Sequence, residues 1–430
     1  MAGKMSERQQ VTIRLSTGTT QFLTKDVLLL FATRFVRLFA YGSLSVVLVF
    51  YLTGLGLTTS QTGVLFTLTL IGDTVISLYL TTRADRIGRR RMLIVGALLM
   101  IAAGLIFAIT HSFLLLTIAA TIGVISPSGN EVGPFLSIEQ AALSNVVSEQ
   151  TRTNVFAWYA LAGSFATALG SLSAGAIVLV LRKATVTSLN SYRMIVVLYA
   201  VLGLVMLVFF NRLTSEAEVI SQEKAASSSG LSKFFGIVHS HDIVMKLSCL
   251  FALDSFGGGF VVQSFAAYWF YLRFGVTPEK LGVIFFIANL ISGVSALLAS
   301  RLASRLGLVR TMVFTHLPSN ILLIFIPFMP KLSLAVAVLF LRFSISQMDV
   351  PTRQSYTMAV VPPQERSAAA GIMSVARSTG AALAPFLAGI MFARPALINV
   401  PFFIAGALKI IYDLLLYKSF VATRPPEETR

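Results

Sequence analysis

Five ionisable side chains stand deep inside long apolar runs: Arg37, Asp73, Asp254, Arg342 and Asp349. A charge at the centre of a bilayer costs at least ~2.5–3.5 kcal/mol on insertion scales, so each must have a use or a partner. An acid placed there can carry a proton, and an arginine can hold an anion through its planar fork of N–H donors. At about 1.5 Å of helical rise per residue, these five fall within a few ångströms of mid-membrane, while Arg34, Glu139, Arg353 and Arg377 fall nearer one face. Asp73 reads either as a proton-coupling residue or as a carboxylate paired with Arg37 for packing. Asp254 precedes Gly257, Gly258 and Gly259, which permit close helix approach. Left without a partner, it is the kind of group that a proton carrier needs. Asp349 and Arg353 are four residues apart, one helical turn, and form a salt bridge by that spacing. Arg342 has no partner on its own helix and is the expected contact for an anion.

Asn130 and Glu131 lie in Ser126-Pro-Ser-Gly-Asn-Glu-Val-Gly-Pro134, where two prolines and two glycines break any helix. Freed backbone groups survive at membrane depth only where protein or a water-filled cavity satisfies them. The segment is therefore a candidate ligand or coupling site, unless it is a loop near the outer surface with its span starting at about Phe135.

The chain that carries these residues has 430 of them, 56% hydrophobic and only 12% charged, with a mean hydropathy of +0.81. That charge content is about half that of soluble domains, too little to coat a water-soluble globule, and the hydrophobicity excludes disorder. Cys249 is the one cysteine and the four histidines lack ligand spacing, so no disulfide frame, metal site or other cofactor is expected. The net charge of +16 comes in short clusters between apolar runs, which orients membrane helices and does not bind nucleic acid. Residues 1–25 lack an apolar core, so no cleavable signal is expected.

Runs of about 20 apolar residues predict twelve spans: 27–52, 61–82, 92–110, 113–147, 153–181, 192–211, 243–272, 279–300, 311–329, 332–361, 367–393 and 398–417. The polar stretch between the sixth and seventh divides the chain. The reading is a cytosolic tail at 1–26, a six-helix bundle at 27–212, a cytosolic linker at 213–242, a second bundle at 243–418 and a tail at 419–430. Lys and Arg number 20 on the termini and even-numbered connections against 7 on the others. The rich side is cytoplasmic, so both termini are expected inside a cell inner or plasma membrane. Trp158-Tyr159 and Tyr268-Trp269 sit near span ends, as interfacial aromatic belts do.

The halves echo each other. Ala84, Arg86, Gly88 and Arg91 recur 219 residues later as Ala303, Arg305, Gly307 and Arg310, with Gly63 recurring as Gly282. Val146 to Arg152 recurs 214 residues later as Val360 to Arg366, and Ala174-Gly175 as Ala388-Gly389. Parallel six-helix repeats with a site between them are a transporter architecture.

Ala84-Asp-Arg-Ile-Gly-Arg-Arg90 resembles the signature loop of the major facilitator superfamily, whose Asp-Arg-x-Gly-Arg core joins helices two and three. The resemblance implies an all-α membrane protein with 12 transmembrane helices in two pseudo-symmetric six-helix bundles. It also implies transport by alternating access around a central cavity that helix seven lines. Asp85, Arg86, Gly88 and Arg89 would then latch the halves at the cytoplasmic side, with Arg377 beside them, and a Glu139/Arg353 couple across the pseudo-symmetry would suit the same gate. The Gly-Pro that antiporter members carry on helix five is absent here. By analogy of fold, proton-coupled efflux of small organic compounds is expected. The alternative is a polar or anionic metabolite, with Arg37 and Arg342 as its contacts. A separate class is a receptor or scaffold that does not transport. The expected partners are a small-molecule substrate, protons and membrane lipids, with the protein a monomer. No phosphate-binding loop or hydrolase motif is present, so neither an ATP-driven pump nor an enzyme is expected.

Overall fold

The computed structural model describes residues 24–214 apart from 132 and 148, and 240–421 apart from 363 and 364. The side chains of 85, 86, 149–154, 300 and 367 lie outside that description, and so do nearly all of the predicted tails and linker. The predicted latch side chains Asp85 and Arg86 are therefore outside it too.

Fifteen α-helices run through the described residues. The first seven are α1 Lys25–Gly54, α2 Thr59–Ile87, α3 Arg89–Ile109, α4 Phe113–Ile122, α5 Phe135–Val146, α6 Glu149–Lys183 and α7 Ser188–Asn211. The other eight are α8 His241–Gly259, α9 Gln263–Phe274, α10 Pro278–Leu306, α11 Leu308–Phe325, α12 Leu332–Ser346, α13 Asp349–Val360, α14 Arg366–Phe392 and α15 Val400–Phe420. Among the described residues, 11 helical stretches are long and apolar enough to cross a membrane, counting α8 with α9 and α12 with α13. The fourth predicted span, 113–147, is the exception: α4 and α5 are its two pieces, and neither is long enough to cross alone.

Sequence signals set the helix ends. Thr24 and Thr187 cap α1 and α7 by accepting backbone N–H groups, and Thr58 with Gln61 closes a capping box on α2. Gly88 and Gly307, the repeated pair, turn the chain between α2 and α3 and between α10 and α11 at φ of 114° and 85°. Such angles suit glycine and strain any residue with a Cβ. The repeat extends to helix starts as well, since α5 begins at Phe135 and α13 at Asp349, again 214 apart.

Packing follows the same two-fold. Within the first half α1 lies on α6 and α3 on α7, and within the second α8 lies on α14 and α11 on α15. Between halves, α2 lies on α14 and α6 on α10. Lipid tails are as apolar as leucine, so close approach of small residues, not hydrophobic burial, must hold such faces together. Gly63 meets Gly389, and a Cβ on Gly63 would stand 2.5 Å from the Pro385 carbonyl oxygen. Gly175 meets Gly282, where a Cβ on Gly175 would stand 2.7 Å from the Glu279 carbonyl oxygen. Both pairs sit at the end of the bundle opposite the basic loops around Gly88 and Gly307; we call it the far end. Leucine, valine and phenylalanine side chains such as Leu105, Val180 and Phe328 are exposed on the outer faces, as lipid contact requires.

Candidate functional site

The break in the fourth span is buried, not a surface loop. Val124, Ile125 and Ser126 are among the least exposed residues of the chain. Neighbouring helices satisfy its freed backbone groups one by one. Tyr199 on α7 donates its hydroxyl to the Val124 carbonyl. Ser264 on α9 donates its N–H at 3.1 Å and its Oγ at 2.6 Å to the Pro127 carbonyl. Thr167 on α6 donates to the Gly129 carbonyl at 3.4 Å, and the Gly133 N–H donates to Asp73 Oδ1 at 2.5 Å. This is the internal satisfaction that irregular backbone at membrane depth demands. Asn130 shapes the break through its backbone, accepting from Ser126 Oγ at 2.7 Å, and its exposed side chain has no partner among the described residues.

In the first half the break delivers Glu131 and Glu139 to the arginines of α1. Arg37 is fully buried and grips the Glu139 carboxylate with both Nη atoms at 2.8 and 2.7 Å. Its Nε donates to Glu131 at 2.6 Å, and Arg34 Nη1 reaches the other Glu131 oxygen at 3.0 Å. Thr33 Oγ1 at 2.8 Å and the Tyr159 hydroxyl complete the donors around Glu139. Two acids and two arginines leave this cluster neutral. Desolvated pairs of this kind hold only when every lone pair is met, and here each Glu139 oxygen receives two donors.

Two expectations are corrected by this cluster. Arg37 pairs with Glu131 and Glu139, not with Asp73. Glu139 is spent inside its own half, so it forms no couple with Arg353. Asp73 instead accepts from the Gly133 N–H and, at 3.3 Å, from Ser77, with no cation at ion-pair distance among the described residues.

The second half mirrors the first with its charges reversed. An arginine on the first span meets a glutamate on α5, while an aspartate on the seventh span meets an arginine on α13. Asp254 accepts from Lys409 Nζ at 2.6 Å and from Arg353 Nη1 at 3.1 Å, so it is not the unpartnered acid expected. Arg353 also lies 3.5 Å from Asp349, the pairing that their spacing predicted. His316 reaches Asp413 at 2.8 Å, and Asn320 Nδ2 reaches the other Asp413 oxygen at 2.8 Å.

Sequence reading passed over His316, Asn320, Lys409 and Asp413. The signal was present in their spacing: His316 with Asn320 and Lys409 with Asp413 are both one turn apart inside apolar spans.

Arg342 is half-buried, lies 5.3 Å from the Phe343 ring centroid, and has a buried Nε with no hydrogen-bond partner among the described residues. Arg377 is exposed and has no ion pair among the described residues. Arg89 is buried and donates to the Ala141 carbonyl at 3.0 Å, which ties the start of α3 to α5 within one half. Tyr159 and Trp269 also depart from the belt expectation. Both are buried, and the Trp269 indole N–H donates to Asn399 at 2.9 Å.

At the far end, polar contacts join the halves beside the glycine pairs. Gln263 Nε2 donates to Ser45 at 2.8 Å and lies 3.3 Å from Ser171, while Asn289 donates to its carbonyl at 3.2 Å. Arg182 pairs with Glu279 at 3.1 Å, and Phe50 stacks edge-on against Tyr268 and Tyr271.

A family model described as Major Facilitator Superfamily matches residues 30–348 and 274–430. An uncharacterized membrane protein of Saccharomyces cerevisiae is 31% identical over 430 residues, covering 93% of this chain and 94% of that one. The quinolone resistance protein NorA of Staphylococcus aureus is 30% identical over 104 residues, 24% of this chain and 27% of its own. In fold, the chain is similar to a D-xylose–proton symporter, with a TM-score of 0.69, 16% identity, and coverage of 91% of this chain and 97% of that one.

Proposed function

The chain belongs to the major facilitator superfamily, and from that premise we propose that it moves small organic compounds out of the cell in exchange for protons. It is a secondary transporter and a multi-pass integral membrane protein, not an enzyme. Asp73 carries the proton assignment. It is a carboxylate in the middle of α2, held by two hydrogen-bond donors and by no fixed cation among the described residues. Such an acid can gain and lose a proton without stranding a buried positive charge, which neither Glu131 nor Asp254 could do. Its donor, Gly133, belongs to the broken fourth span, so a change at Asp73 is felt where the helix is already interrupted.

The two bundles, 27–212 and 243–418, rock as bodies about the glycine contacts, joined by the linker at 213–242. The basic side, with the tails 1–26 and 419–430, faces the cytoplasm. The segment from 83 to 91, where Gly88 turns α2 into α3, is the latch on that side. The far end, sealed by Gly63 on Gly389 and Gly175 on Gly282, is the outer face.

A second reading is favoured by Arg342. Its buried Nε has no acceptor among the described residues, and a bound anion could supply one. On that reading the cargo is a polar or anionic metabolite.

The test uses the purified chain in proteoliposomes with an imposed pH gradient, loaded with basic dyes in one set and small organic acids in another. Proton-driven dye movement that Asp73→Asn abolishes supports the first reading. Acid movement that Arg342→Gln abolishes supports the second. Movement of neither, with the protein folded, overturns both in favour of a receptor or scaffold.

A further inference from the structure

His316 on α11 is buried, and its two ring nitrogens face carboxylates on two other helices. Nδ1 lies 2.8 Å from Asp413 on α15, and Nε2 lies 3.7 Å from Asp254 on α8. A neutral imidazole has one N–H and one lone pair, so it can donate to one of these acids and must turn a lone pair toward the other. Only the imidazolium turns an N–H toward both, as a hydrogen bond at Nδ1 and an ion-pair contact at Nε2.

The surroundings define the balance of charge. Asp254 is also held by Lys409 from α15 and Arg353 from α13, and Arg353 is shared with Asp349. Asn320, on α11 itself, lies 2.8 Å from Asp413 and 3.1 Å from His316 Nδ1. The Tyr412 ring stands edge-on to the imidazole at 5.8 Å, with a buried hydroxyl that has no partner among the described residues. Asp413 has no fixed cation at ion-pair distance among the described residues, and His316 is its one chargeable partner there. At ion-pair distance, the acids Asp254, Asp349 and Asp413 face the fixed cations Lys409 and Arg353, leaving one negative charge among these paired groups that a proton on His316 cancels. Arg342 on α12 and Arg377 on α14 stand within electrostatic range of Asp254 without reaching an acid. The charges of α10, namely Glu279, Lys280, Arg301 and Arg305, lie toward its two ends.

We propose that His316, with Asp413 and Asp254, is a second proton-binding site, in the second half and loaded separately from Asp73. With the proton present, His316 bridges α8, α11 and α15. When it leaves, the Nδ1–H stays with Asp413 and the bare Nε2 repels Asp254, so α8 loses its hold on α11 while α11 and α15 stay joined. That release acts on α8 just before Gly257–Gly259, where the seventh span bends into α9. Among the described residues the first half shows no counterpart, because its four-residue cluster is neutral and holds no histidine.

The test reads the proton directly. In the full chain in detergent, replacing His111, His239 and His241 by Gln leaves one histidine, whose 15N spectrum is followed from about pH 5 to 8. The expected result is a change from charged to neutral imidazole, and an uptake of one proton more per chain in a pH jump than His316→Gln shows. A resonance that stays in one neutral tautomer throughout overturns the proposal, as does equal proton uptake with and without His316. Asp73→Asn should leave the transition in place, so the failure of transport coupling at Asp73 and the failure of this site are told apart.

Discussion

Removing Arg37 tests how the first half is held together. Arg37→Met deletes three charge-assisted hydrogen bonds and leaves Glu139, which has no exposed surface, with only Thr33 and Tyr159 as donors. Breaking a buried pair from one side costs about 3–5 kcal/mol, because the other charge is left uncompensated. Glu139→Gln is milder, since Arg37 keeps Glu131 at 2.6 Å, and losing the charged hydrogen bonds should cost about 2–3 kcal/mol. The double variant leaves no orphan at Glu139, so it should cost no more than Arg37→Met alone. The coupling then comes to about 2–3 kcal/mol, at the upper end for residues in contact. Unfolding in mixed micelles by rising dodecyl sulfate, followed through Trp158 beside Tyr159, measures all three variants. Additivity of the single changes within about 0.5 kcal/mol would refute the reasoning, because it would mean that neither charge depends on the other.

Three other outcomes follow from the geometry. Gly175→Leu cannot fit against Glu279 and Gly282, so the far end should open; a cysteine placed at Gln263 in a Cys249→Ser background should then label faster from outside. Gly88→Ala and Gly307→Ala place a side chain at positive φ and should each cost about 1–3 kcal/mol in the same unfolding assay, with similar values at both sites because the turn is repeated. Glu279→Gln breaks a pair whose arginine is half exposed, so stability should change by no more than about 1 kcal/mol while the rate of outward opening rises.

Much of this architecture is legible in one dimension because a membrane fixes helix length and a repeat fixes helix order. The Gly88 and Gly307 turns, the Gly63 and Gly282 contacts, and the matched starts of α5 and α13 all lie at offsets that the sequence prints. Most of the charged residues inside spans were also found, since an ion inside an apolar run is visible without a structure. Their partners were not. Arg37 could have answered Asp73, Glu131 or Glu139, and only the buried break decides, by carrying Glu131 back to α1. Glu139 and Arg353 match across the repeat, yet each is neutralised within its own bundle. A pair spanning the halves would leave two buried ions uncompensated whenever the bundles part. His316, Lys409 and Asp413 escaped because a lone ion in a span draws attention to itself, whereas their sense lies in meeting across α8, α11 and α15.

The broken fourth span also bears on how the chain is made. Its ten-residue piece α4 covers only about 15 Å, half the hydrocarbon thickness, and so cannot leave the translocon for lipid as an independent segment. The carbonyls that follow it are answered by Tyr199 on α7 and Ser264 on α9, which are synthesised later. The first bundle therefore stays incomplete until the seventh span emerges, and a nascent chain cut after α7 would present an open backbone to the chaperones and proteases that patrol membrane insertion.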